Sequence, residues 1–132
     1  MARKILIVDD IPFVRKTIAQ IATEAFYQVV GEAGTGEEAI ELYRTTHPDV
    51  VTMDVVMPDM TGIEATRQIL KMHREARIVI LSALGHEQLI MEAINAGAKD
   101  FILKPFLPRD LLRSLDHALK GAETVVRKVQ GA

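Results

Sequence analysis

The sequence predicts an α/β protein: a doubly wound parallel sheet with helices on both faces. Three observations predict it. Four short, continuous, β-branched runs recur at residues 5–8, 50–53, 78–81 and 101–103, as in strands buried on both faces. Amphipathic stretches separate them. Strand and helix alternate at a spacing that calls for right-handed crossovers between parallel strands.

Each element has its own signal. The run at 5–8 leads into Asp9 and Asp10. Val14, Ile18, Ile21 and Ala25 then repeat at helical spacing and make one apolar face. A weaker run at 28–33 carries Gly31 and Glu32 and reads as an edge strand. The second helix opens with the capping box Thr35-Gly36-Glu37-Glu38, shows Ala39, Leu42 and Tyr43, and stops at His47-Pro48. After the run at 50–53 and Asp54, a second capping box, Thr61-Gly62-Ile63-Glu64, opens a helix with Ile63, Ile69 and Leu70. The run at 78–81 precedes Ser82, and a fourth helix, about residues 86–96, ends at Gly97, a natural helix-stop glycine. The run at 101–103 precedes Lys104. The last helix starts at Pro108, carries Leu111, Leu112, Leu115 and Leu119, and is predicted to end at Gly121. Residues 1–121 make one domain, and 122–132 read as a short C-terminal tail.

Composition excludes several classes. The chain has 132 residues, 48% hydrophobic and 26% charged, enough for one ordinary core. It has no cysteine, which removes disulfides, thiolate metal sites and a cysteine nucleophile. Sixteen basic against eighteen acidic residues give a net charge of -2, the wrong balance for a general nucleic-acid binder. No apolar run approaches the ~20 residues of a membrane span. The basic start is cut short by Asp9-Asp10, so it is no signal peptide and the cytoplasm is the expected location. The four histidines, His47, His73, His86 and His117, show no metal spacing and are expected at the surface.

Ligands of such sheets bind beyond the carboxyl ends of the strands. Asp9, Asp10, Asp54, Ser82 and Lys104 all fall there. Carboxylates held together repel one another unless a cation neutralises them. Oxygen-only ligands suit a hard ion, Mg²⁺ above all. Lys104 is a compact charge for an anionic group, and Ser82 offers a hydroxyl. Such a set can serve a phosphoryl group, with an Asp as nucleophile. Singly, each residue has an ordinary alternative: a helix-start aspartate, a turn serine, a solvated lysine.

Val8-Asp9-Asp10, Met53-Asp54 through Pro58 to Thr61-Gly62, Leu81-Ser82-Ala83, and Ala96-Gly97-Ala98-Lys99-Asp100-Phe101 through Lys104-Pro105-Phe106 resemble the receiver domain of two-component response regulators, over residues 4–120. Within it the chain is most similar to the single-domain chemotaxis regulators. The resemblance implies a flavodoxin-like fold with five helices and strand order 2-1-3-4-5. It implies that Asp54 accepts a phosphoryl group from a histidine kinase. Asp10, Asp54 and the main-chain carbonyl of Val56 would hold Mg²⁺, with Asp9 assisting through water. Lys104 would contact the phosphoryl oxygens, next to a cis Lys104-Pro105 bond. Ser82 and Phe101 match a switch pair: Ser82 would move to the phosphoryl group and Phe101 would turn inward, reshaping the face of the fourth helix, fifth strand and fifth helix. The output protein would be the flagellar motor switch. No other enzymatic activity, nucleic acid or membrane is implied, and the chain would be a monomer.

Some positions depart from the family pattern. Thr61 stands where Asp is common, Phe101 lacks a hydroxyl, and Ile11-Pro12 replace smaller or polar residues. Val56 and Leu84 would flank the phosphoryl group with aliphatic side chains, which cannot orient an attacking water. Slow spontaneous dephosphorylation is therefore expected, with signal termination left to a separate phosphatase or to back-transfer. Two further readings are a phosphorelay intermediate and a receiver excised from a longer regulator. A metal-dependent phosphohydrolase fits less well, because its nucleophile would follow the first strand.

Overall fold

Five parallel strands, β1 (Lys4–Val8), β2 (Gln28–Ala33), β3 (Val50–Asp54), β4 (Ile78–Ala83) and β5 (Asp100–Lys104), form one sheet in the order β2-β1-β3-β4-β5. Helices α1 (Pro12–Glu24), α2 (Gly36–Thr46), α3 (Gly62–Met72), α4 (Glu87–Ala96) and α5 (Pro108–Lys120) connect or follow them. This is the flavodoxin-like topology. The computed structural model describes residues 2–83 and 86–120. The expected tail at 122–132, the stop at Gly121 and Leu84 lie outside the described residues. Among these residues no helix is long and apolar enough to cross a membrane.

Strand alternation divides the core in two. Leu6, Val8, Val51, Met53, Ile78, Ile80 and Phe101 face one way and pack with Tyr43 of α2, Ile63 and Ile69 of α3, and Ile90 of α4. Ile5, Ile7, Val50, Val79, Leu81 and Ile102 face the other way, against Ile18 and Ala22 of α1 and Leu111 and Leu115 of α5. Each such side chain contributes about 1.5–3 kcal/mol when taken out of water. Continuous apolar runs were required because both faces are covered.

The helix ends follow the capping chemistry. The Thr35 and Thr61 hydroxyls accept from the Glu38 and Glu64 amides, each at 3.1 Å. The reciprocal Glu38 contact goes to the Gly34 amide instead, at 2.9 Å. His47 closes α2 in the left-handed region at φ 47°, and Gly97 closes α4 at φ 115°. The face of α1 is corrected: Ile18 and Ala22 are its buried residues, with Val14 and Ile21 partly buried and Ala25 beyond the helix end. β2 is an edge strand, and its register slips between Val29 and Gly31, so Val30 is the extra residue of a bulge. β5 is the other edge, so Leu103 is 38% exposed rather than covered on both faces.

Candidate functional site

Three strands deliver the charged groups. Asp54 is the last residue of β3, Lys104 the last of β5, and Asp9 continues β1. Alternation sends all three toward the side of Ile7 and Ile102. Asp9 is fully buried, Asp54 is 7% exposed, and Asp10 is exposed. One oxygen from each carboxylate lies within 4.8 Å of the others. The Lys104 ammonium donates to Asp54 Oδ1 at 3.0 Å and to Asp9 Oδ2 at 3.2 Å. The Lys104-Pro105 bond is cis, as expected.

One cation against three carboxylates leaves an excess of negative charge. Burial pushes the Asp54 carboxyl above its ordinary value of 3.8, helped by the charges of Asp9 and Asp10 and opposed by Lys104. Burial pulls Lys104 down, but the hydrogen bond and charge of Asp54, with Asp9, outweigh it and leave the ammonium above 10.5. These residues fit a hard divalent cation: the donors are all oxygen, they converge, and their mutual repulsion is what a cation would relieve.

The surroundings hold the carboxylates in place. Asp9 Oδ1 accepts from the Ile11 amide at 3.0 Å, and Arg15 donates to the Asp9 carbonyl at 2.6 Å. A Cβ at Gly62 would sit 2.0 Å from the Asp54 carbonyl oxygen, so only glycine lets α3 start there. The Gly62 amide donates to the Val55 carbonyl at 2.7 Å. Across the same loop, Asp59 accepts from the Gly36 and Glu37 amides at 2.9 Å each and caps α2. These amides hold its carboxyl below 3.8. Asp59 was missed in the sequence because its partners lie 23 and 22 residues away, and Arg15 because no local pattern marks a side chain that reaches back to a main-chain carbonyl. Val56 follows Asp54 with its side chain 61% exposed.

Ser82 and Phe101 lie on the other side of the sheet, with Ile80. The Ser82 hydroxyl is 3.1 Å from His86 Nδ1 and 3.4 Å from the Ala83 carbonyl oxygen. The Phe101 ring is already turned inward, 8% exposed in the core. Three of the four histidines are only partly exposed, and each has a specific neighbour. His86 is half-buried against Ser82, and His117 Nδ1 is 3.6 Å from the buried Asp100 carboxylate. His73 packs against Tyr43 with the rings tilted at 43° and their centres 4.7 Å apart.

The response regulator receiver domain family model matches residues 5–116. The chain is 47% identical to the chemotaxis protein CheY of Thermotoga maritima, over 91% of this chain and all of that one. It is 44% identical to the chemotaxis protein CheY of Bacillus subtilis, over 90% and 99%. The CheY of the Borrelia burgdorferi CheX-CheY-BeF3-Mg²⁺ complex superposes with a TM-score of 0.82 at 37% identity, covering 86% of each chain. A LuxR-family response regulator from Aurantimonas superposes at 0.87 with 34% identity, over 98% and 96%.

Proposed function

Because this chain belongs to the receiver-domain family of two-component response regulators, we propose that it is a phosphorylation-controlled switch whose Asp54 takes a phosphoryl group from a histidine kinase. The observation that carries this is the Lys104 ammonium shared between Asp54 and Asp9, beside the third carboxylate of Asp10. An Asp54 carboxylate oxygen attacks phosphorus, an O–P bond forms, the donor's N–P bond breaks, and the donor imidazole leaves with the electron pair. Lys104 already touches the carboxylate that would carry the phosphoryl group, so its ammonium lies beside the place where the phosphoryl oxygens would gain charge. Asp9, Asp10, Asp54 and the Val56 carbonyl would hold Mg²⁺. The ion supplies charge neutralisation for the transferring group. Asp9 is held by Ile11 and Lys104, while Asp10 faces solvent, so Asp10 is the carboxylate left open toward a cation in solution.

Ser82 and Phe101 are the readout, Ser82 by bonding the phosphoryl group and Phe101 by a shift in population from its outward to its inward place, the one it holds here. The identities to chemotaxis proteins support a chemotaxis output; the flagellar motor switch as partner and the cytoplasm as location belong to the same proposal. The Borrelia structure, a CheY with CheX, beryllofluoride and Mg²⁺, supports a protein partner and a metal-dependent phosphoryl site here. The chain acts catalytically on its own Asp54 alone. The test is incubation with a small phosphodonor and Mg²⁺, followed by intact mass. Wild type should gain one phosphoryl group and Asp54→Asn none; equal labelling of the two would sink the reading.

A further inference from the structure

The Ser82 hydroxyl has a single proton and sits 2% exposed, away from water. Among the described residues it has two polar atoms in reach. The Ala83 carbonyl, at 3.4 Å, is beyond the usual span for a hydroxyl donor. His86 Nδ1, at 3.1 Å, is the better one in the tautomer that carries its proton on Nε2, and that tautomer is part of the proposal. A buried hydroxyl with one good acceptor gives it up only for another.

We propose that His86 is a positioning residue that holds the Ser82 hydroxyl in its resting direction and so competes with the phosphoryl group for that proton. This rests on the reading of Asp54 as phosphoacceptor. When Asp54 is modified, the hydroxyl must leave Nδ1 before it can donate to a phosphoryl oxygen. Each modification therefore exchanges one bond for another, and the strength of the first sets how readily the switch responds. His86 is well placed for this role alone. It sits at the N-cap of α4, yet its side chain makes no capping hydrogen bond, so the helix start does not depend on the imidazole. It is four residues past Ser82, on the connection that carries the signal from β4 to α4.

The experiment measures affinity for beryllofluoride with Mg²⁺ by titration calorimetry. The proteins are wild type, His86→Ala, Ser82→Ala and the double variant, with Asp54→Asn as control. His86→Phe keeps a planar ring without an acceptor and separates loss of the bond from loss of volume. His86→Ala and His86→Phe should each bind about 2- to 12-fold more tightly than wild type, the worth of one neutral hydrogen bond. In the Ser82→Ala background, removing the imidazole should change nothing. Affinity unchanged or weakened by both His86 variants, or an equal shift with and without the Ser82 hydroxyl, overturns the proposal. If wild type binds no better than Asp54→Asn, the phosphoacceptor reading fails, and this one falls with it.

Discussion

Lys104 divides its charge between two buried carboxylates, and neither is fully compensated. The fold thus carries a cost at the residue proposed to take the phosphoryl group. Asp54 titrates above 3.8 because burial disfavours its charge, so its ionised form weakens the native state at neutral pH. Asp54→Asn is expected to raise the melting temperature at pH 7. The gain should shrink as pH falls through the elevated native pKa, because the wild-type carboxyl then protonates as well; calorimetric melts across that range check the sign. Val56 carries the second expectation at this scale. Its exposed aliphatic side chain neither donates nor accepts a hydrogen bond. Phosphorylated wild type should therefore lose its label more slowly than Val56→Asn combined with Leu84→Glu. Decay no slower in wild type would remove the shielding role.

The start of α3 is pinned to β3, and the loop between them is pinned to α2. Gly62→Ala would drive a methyl into the Asp54 carbonyl and should cost about 3 kcal/mol or more in denaturant unfolding. Asp59→Asn should weaken the cap on Gly36 and Glu37. The native Asp59 pKa lies below 3.8, so the cap's contribution is present above that value and is lost as pH falls through the native pKa. The gap in unfolding midpoint between wild type and Asp59→Asn should hold from neutral pH down and close only in strong acid. Much of this layer was legible from residue patterns. The β-branched runs marked four strands, and Thr35 and Thr61 marked two helix starts, because those signals are local. Strand ends were less clear: Asp54 and Lys104 complete their strands and Ser82 lies inside β4, rather than following them, since ladder bonds do not depend on side-chain polarity. The two-faced alternation that parts Ser82 and Phe101 from Asp54 and Lys104 needed the register. Asp59 on α2 and His86 on Ser82 were hidden because a polar side chain does not announce its partner.

At the scale of the whole molecule, one sheet supports two cores, and the charged site sits at the rim where both end. A cation that binds only the folded chain stabilises it by mass action, about 1.4 kcal/mol at ten times Kd. Mg²⁺ should therefore raise the melting temperature of wild type, and by much less in Asp10→Asn; an equal rise in both would remove Asp10 from the metal site. The repulsion among Asp9, Asp10 and Asp54 also has a consequence for persistence. A protease cuts the transiently opened chain, and the opened population is set by the stability of the folded one. Whatever quiets that acidic rim also closes the chain to digestion. A protease is therefore expected to cut the chain more slowly with a cation at that rim than without one, in proportion to the stability the cation adds.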